Sequence, residues 1–172
     1  MTAFEILPLH AWPMEAVLAV QAKAHASHLI ERGEVLQCKI QSASPNRPLS
    51  FGAARRNNPD ALCGYAIACP WQRTLAPRLD EGRCSLSMHL ADCVYVHDIA
   101  VDPSCQRQGL AGQLMLQVLQ QGRAYGWQQA VLVAVQGAHH YWSRYGFMAA
   151  SGSEMPDLAS FGEDAVWMQR AL

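Results

Sequence analysis

Charge is scarce in this chain. Only 16% of its 172 residues are Asp, Glu, Lys or Arg, and 13 basic against 14 acidic side chains leave a net charge of −1. A surface so nearly neutral offers no basic field for nucleic acid and none for an anionic membrane. Long apolar runs are missing as well: although 51% of the residues are hydrophobic, no run approaches the roughly 18 residues that a membrane span needs. The first residues carry Glu5 and no basic stretch, so a secretory leader is not expected. The cysteines Cys38, Cys63, Cys69, Cys84, Cys93 and Cys105 include no Cys-x-x-Cys pair and no His/Cys cluster at zinc spacing. Free thiols in a reducing cytoplasm are the expectation, with no metal and no disulfide framework. Repeats and low-complexity tracts are absent, and one domain spanning residues 1–172, with a sizeable core, is expected.

What is present is a regular alternation of short strands and helices. Phe4–Leu9 reads as a strand. Pro13 then opens a helix of good formers through Ala22. A second helix is expected from about His28 to Ile40, weakened at Gly33. Leu49–Arg55 and Ala61–Cys69 form a hairpin around the turn residues Asn57, Asn58 and Pro59. Pro70–Asp92 is a long connection with little periodicity. Leu110–Tyr125 carries an apolar stripe at helical spacing and stops at Gly126. Ala130–Val135 is a continuous apolar run suited to a strand buried on both faces, and Ala165–Arg170 alternates as a half-buried antiparallel strand does.

The stretch from Tyr95 to Gly112 joins these pieces to chemistry. Tyr95–Val101 is a buried strand stopped by Asp102-Pro103, and Gln106-Arg107-Gln108-Gly109-Leu110-Ala111-Gly112 leads straight into a helix. Small residues let a ligand approach the main chain, and the unpaired N–H groups of a first helical turn suit a phosphate. A Walker loop is excluded because no Gly-Lys-Ser/Thr follows, and the dinucleotide fingerprint because Gly109 and Gly112 have the wrong spacing.

The pattern that fits is Gln/Arg-x-x-Gly-x-Gly/Ala after a strand ending in Ala-Val, met by Gln106, Gly109 and Ala111 behind Ile99-Ala100-Val101. A short segment ending in Gly146-Phe147 follows the next strand. These landmarks resemble the GNAT superfamily of acyl-CoA-dependent N-acyltransferases, and the order of elements is similar to the whole GNAT fold. The resemblance implies an α+β fold: a mixed, mostly antiparallel sheet with one parallel βαβ unit at the acyl-CoA site and helices on both faces. It implies an N-acetyltransferase that moves an acetyl group from acetyl-CoA to a primary amine of a small molecule, peptide or protein by direct attack on the thioester. The alternative is a non-catalytic acyl-CoA-binding module.

Carried over by position, Ile99, Ala100 and Val101 supply the backbone for the pantetheine arm, and the Ile99 N–H polarises the thioester carbonyl. The N–H groups of Arg107, Gln108, Gly109, Leu110, Ala111 and Gly112 hold the pyrophosphate, with Gln106 opening the motif. Gln136 stands where the family often has an Asn on the pantetheine arm. His97 matches a position that holds Glu or His in several members, and an imidazole suits a general base near neutral pH. A period of two puts Tyr95, His97, Ile99 and Val101 on one strand face and Asp98 on the other, where a structural role is expected. The family's usual tyrosine acid is replaced by Trp142, which is expected to pack as core or to wall the CoA sulfur pocket. Tyr141 and Tyr145 are expected on different sides of the helical turn. No acid is therefore assigned. Asp80, Glu81 and Asp92 suit a cationic acceptor only weakly. A soluble cytoplasmic enzyme is expected, needing no metal, nucleic acid or membrane and compatible with a homodimer.

Overall fold

The computed structural model describes residues 3–75, 77–81, 90–151 and 156–172. The expected long connection therefore lies partly outside the described residues. Seven strands form one sheet in the order β1-β2-β3-β4-β5-β7-β6. They are β1 (Phe4–Pro8), β2 (Phe51–Arg55), β3 (Asn58–Trp71), β4 (Cys93–Val101), β5 (Gln129–Ala134), β6 (Met148–Ala149) and β7 (Val166–Ala171). The helices are α1 (Met14–Ala24), α2 (Gly33–Gln41), α3 (Leu110–Ala124) and α4 (His139–Ser143). Every neighbouring pair is antiparallel except β4 with β5. This is the mixed GNAT-like α+β architecture expected from the sequence.

Most differences from the expected elements lie at boundaries. The second helix starts at Gly33, and Ser27–Leu29 before it is a short 3₁₀ turn. The two-residue β6 was not foreseen, because two residues carry no periodic signal. Gly126 ends α3 as expected, with φ +92°. Its N–H reaches Arg123 O and the Trp127 N–H reaches Gly122 O, a reciprocal C-terminal cap that satisfies two otherwise orphan carbonyls. The cysteine expectation needs correction: Cys38 is disulfide-bonded. Cys63, Cys69, Cys93 and Cys105 are free and buried.

Two apolar cores cover the two sheet faces. Leu114, Met115 and Val118 of α3 pack with Val94, Val96, Ala130 and Leu132 on one face. Val17, Val20 and Leu36 of α1 and α2 pack with Tyr65, Ile67 and Ala100 on the other. A third cluster of Trp71, Tyr95, Val131 and Trp167 fills the end of the sheet.

Two irregularities in β4 create the site. Its parallel pairing with β5 runs only from Val94–Ala130 to Val96–Leu132, so the two strands part beyond Val96. On its other side, β3 follows it to Val101, but Ile67 faces Asp98 and Ala68 faces Val96, a bulge of one residue. A bulge breaks the period of two. Val94 and Val96 face α3 before it, and Val101 does so after it, with Ile99 packed against the same core. Tyr95 and Ala100 face away from α3. The expectation that Asp98 opposes His97 while Ile99 and Val101 share its face is therefore corrected. His97 and Asp98 both turn toward the α1–α2 side, where their bonding partners lie, and Ile99 and Val101 turn toward α3.

Candidate active site

The gap between β4 and β5 holds a cavity of about 220 Å³ lined by His97, Ile99, Gln136 and Trp142 together with His25, Glu31, Asp98, Leu29, Leu79 and Phe161. Four of the residues singled out in the sequence thus meet at one place. Ala100 and Val101 continue the strand from the cavity toward the turn, with their side chains buried in opposite cores.

The turn from Gln106 to Gly109 is exposed. Arg107 and Gly109 have φ +59° and +74°, the left-handed conformation that a side chain makes costly and that glycine accepts. Gln106 donates from Nε2 to Val101 O at 3.2 Å and ties the turn to the strand end. Gln108 accepts from the Arg55 guanidinium at 3.4 Å, and Asp102 accepts from the Ser104 N–H at 2.9 Å and from Lys23 at 2.8 Å. Gly109 caps α3 without a side-chain bond. Among the described residues, no acceptor is bonded to the N–H groups of 107–112, so an unpaired array and the positive end of a 15-residue helix face outward. Leu110 anchors the turn in the α3-side core, with Ala111 packed at its edge. Gly112 has its own reason to be glycine: a Cβ there would lie 1.9 Å from Tyr145 Oη.

Across the gap, Gln136 has φ +53° and Gly137 φ +74°, an irregular turn at the end of β5 that brings Gln136 to the cavity. Trp142 packs against the α3-side core and walls the cavity. An indole N–H donates but does not titrate, so Trp142 cannot deliver a proton to a thiolate. Tyr141 and Tyr145 share one side of the α4 turn, with hydroxyls 3.4 Å apart, which corrects the expectation that they diverge. Four residues is about one turn, so their side chains stack. Burial and the Tyr145 hydroxyl raise the Tyr141 hydroxyl to about 12, a poor acid at neutral pH.

The other side of the cavity is a polar network that sequence reasoning found only in part. His97 has a side chain 1% exposed, and both ring nitrogens are engaged: Nε2 with Glu31 Oε1 at 2.5 Å and Nδ1 with the Tyr95 hydroxyl at 3.3 Å. Glu31 is held in turn. Its Oε2 accepts from the Asp80 N–H at 2.6 Å, and its own N–H and C=O pair with the Gln21 side chain at 3.0 Å each. Burial pushes the Glu31 carboxyl up, but the charge and hydrogen bond of His97, the Asp80 N–H and Lys39 bring it below the ordinary value.

Beside this pair, Asp98 accepts from His25 Nε2 at 2.8 Å and from the Tyr65 hydroxyl at 2.6 Å. Its burial opposes ionisation, yet the His25 and Tyr65 bonds and the nearby His97 keep its carboxyl below the ordinary value. The His25 imidazole is raised, chiefly by its bond to Asp98 against the cost of burial. Neither His25 nor Glu31 was singled out in the sequence. They lie 73 and 66 residues from their partners, and no spacing rule links them. The loop acids suggested for a cationic acceptor are committed elsewhere: Asp80 to Arg32 at 2.8 Å and Asp92 to Arg73 at 3.4 Å. The Glu81 carbonyl receives the Lys39 ammonium. Among the described residues, no group of three His, Cys, Asp or Glu side chains is placed to hold a metal, and no helix is long and apolar enough to cross a membrane.

The model of the acetyltransferase (GNAT) family matches residues 14–147, and the chain belongs to that family: it is an acyltransferase. No curated protein is a match to the chain. The fold is similar to the ribosomal-protein-S18-alanine N-acetyltransferase from Escherichia coli at 19% identity and TM-score 0.66, over 98% of this chain and 93% of that one. It is similar to the PaiA N-acetyltransferase from Thermoplasma acidophilum in complex with coenzyme A, at 14% identity and TM-score 0.66, over 99% and 100%. It is also similar to the GphF GNAT-like decarboxylase in complex with isobutyryl-CoA, at 13% identity and TM-score 0.69, over 98% of each chain.

Proposed function

We propose that the protein is an N-acetyltransferase that moves the acetyl group of acetyl-CoA to the primary amine of a small molecule or a peptide. The observation that carries this reading is the parting of β4 and β5 beyond Val96–Leu132. It leaves the edge of Ile99, Ala100 and Val101 unpaired on the β5 side, between the cavity and the exposed turn. An extended pantetheine arm can add to such an edge much as a peptide strand does. The diphosphate then falls to the N–H groups of Arg107, Gln108, Gly109, Leu110, Ala111 and Gly112, with Gln106 holding the turn, while Gln136 and Trp142 wall the arm on the other side. The Ile99 N–H is the proposed donor to the thioester carbonyl oxygen, and a donor in that role is worth on the order of 3 kcal/mol in the transition state.

The acceptor amine enters from the face opposite α3. It arrives protonated and attacks only as the free base, so an imidazole on that face is the proposed base. His97 is the one its place on the strand implies, and His25 is the one the folded arrangement adds. With no titrating side chain at Trp142, the departing thiolate takes its proton from the amine nitrogen or from water. The S18-alanine enzyme is named for an amine acceptor on a protein, which supports a peptide amine here. The decarboxylase shares the fold with a different named chemistry, so the reaction must be tested directly.

A cytoplasmic location has the four free cysteines as its support and the bonded Cys38 against it. A homodimer is compatible with this reading but carries no part of it. The test is CoA thiol release from acetyl-CoA across polyamines, amino acids, aminoglycosides and peptides with free N-termini. Amine-dependent release supports the reading. Binding of acetyl-CoA with no amine-dependent release would leave an acyl-CoA-binding module instead.

A further inference from the structure

Two imidazoles reach the cavity, and their surroundings differ. The His97 side chain is 1% exposed and both its nitrogens are occupied, so it meets an amine only if the Glu31 or Tyr95 contact breaks. The His25 side chain is 20% exposed and lines the same cavity. Only its Nε2 is engaged, 2.8 Å from Asp98 Oδ1. Its Nδ1 has no partner among the described residues. No side-chain nitrogen or oxygen there is both buried and unpartnered, so Nδ1 is open to the cavity or to solvent. A carboxylate on Nε2 fixes the tautomer: Nε2 carries the proton and donates it to Asp98, leaving the Nδ1 lone pair free.

The carboxylate is itself oriented. Tyr65, its hydroxyl 2.6 Å from Asp98 Oδ2, is buried in the core under α1 and α2. The β4 bulge is what turns Asp98 to this side. Orienting group, carboxylate and imidazole thus stand in a row ending at the cavity, with roles like those in a nucleophile–base–carboxylate relay.

We propose that His25 is the group that takes the proton from the acceptor amine, with Asp98 as the residue that positions it and Tyr65 as the residue that positions Asp98. The proposal rests on the transferase reading and assigns the base within it. The ammonium gives one proton to His25 Nδ1 and becomes a neutral amine. Its lone pair forms the C–N bond at the thioester carbonyl carbon. The C–S bond breaks with its electron pair on sulfur, the nitrogen's surplus proton ends on that sulfur to give the CoA thiol, and His25 returns its proton to water. His97 and Glu31 then lock the α1–α2 connection against β4, so that His25 is held over the cavity. The charged and titrating groups facing His25 are Asp98 from β4, with Tyr65 from β3 behind it, and Glu31 from the α1–α2 connection; His97 acts on Asp98.

The experiment compares His25→Gln, Asp98→Asn, Tyr65→Phe and His97→Gln with the wild type. Steady-state thiol release is followed from pH 5.5 to 9 with the best amine of the panel above. The thermal shift given by acetyl-CoA shows that each variant is folded and loaded. His25→Gln is expected to lower kcat about a hundredfold, with the acetyl-CoA shift intact, and to abolish the rise of kcat/KM with pH. His97→Gln should keep that rise. Asp98→Asn should move it to lower pH, because an amide no longer stabilises the imidazolium. A merely structural Asp98 would not move the profile. A second readout needs no acceptor: the imidazole ¹⁵N spectrum should show neutral His25 protonated at Nε2, with that preference weakened in Asp98→Asn. Retention of the pH rise in His25→Gln, or a His25 ring protonated at Nδ1, overturns the proposal while leaving the transferase reading in place. A wild type that binds acetyl-CoA yet shows no amine-dependent thiol release with any member of the panel overturns both.

Discussion

The two sides of the cavity are built on different principles. On the α3 side, the stretch from Gln106 to Gly112 is contiguous in sequence, exposed as far as Gly109, and made of main chain: its unpaired donors are backbone N–H groups and its side chains only hold the turn in place. On the α1–α2 side, every group of the network is a side chain, and His25, Glu31, Tyr65, His97 and Asp98 come together from three stretches of chain, the α1–α2 connection, β3 and β4. The first surface suits a constant group such as a diphosphate, because main-chain geometry survives most substitutions. The second suits proton transfer, which needs titrating side chains in fixed positions.

Substitutions that touch one side at a time sharpen this contrast. The largest expected effect on stability is at Glu31. Glu31→Ala removes one partner of a pair whose side chains are 4% and 1% exposed. It also strips the Asp80 N–H of its acceptor, so a loss of about 3 kcal/mol or more is expected. Urea unfolding measures it, and the acetyl-CoA thermal shift of the folded fraction should remain.

Gly109→Glu should do the reverse. The φ of +74° and the new negative charge both act against the turn. The stabilisation by acetyl-CoA, about 2.7 kcal/mol at a hundredfold excess over Kd, should vanish while urea stability of the free protein falls by much less. A full ligand shift in Gly109→Glu would place the phosphate site elsewhere.

A smaller effect tests the packing of α3 against the segment after α4, within the α3 side alone. Ala for Gly in a helix ordinarily stabilises by about 1 kcal/mol. At Gly112 the sign should invert, because the new methyl meets Tyr145 Oη at 1.9 Å and backbone or ring must shift. A loss of roughly 1 to 3 kcal/mol is expected, and it should shrink in a Tyr145→Leu background.

The smallest effect is in the pH dependence of stability. His25 is raised by Asp98, so its contribution is complete below its unfolded value near 6.5 and is lost as pH rises through its folded value. Asp98 is lowered, so its contribution is lost as pH falls through its folded value, at the acid end. The Tm of the wild type should therefore decline from about pH 6.5 upward by a component that His25→Gln removes. Identical Tm-against-pH curves for the two proteins would show that the pair is not coupled to folding.

Much of this molecule is readable without coordinates, because the relevant physics is local. Helix α3 follows from the spacing of Leu110, Leu114, Met115, Val118 and Leu119, all buried on one stripe, and its end follows from Gly126. The buried strand β5 follows from an uninterrupted apolar run, and the turn before α3 from proline, glycine and the order of residues around them. These give the site proposed for a diphosphate, since unpaired N–H groups at a helix start are a property of consecutive residues.

The proposed acceptor side was decided by tertiary structure. A single-residue bulge between Val96 and Asp98 leaves no mark in composition, yet it reverses which residues share a face and brings Asp98 round to His97. The same change of register is why a strict period of two sent Asp98 to the wrong side. Glu31 and His25 acquire their roles from partners 66 and 73 residues away. A buried carboxylate is tolerable only where such partners meet it. No window of sequence contains that condition, because the energy that selects the arrangement is the desolvation of groups that become neighbours only when the sheet and helices have packed.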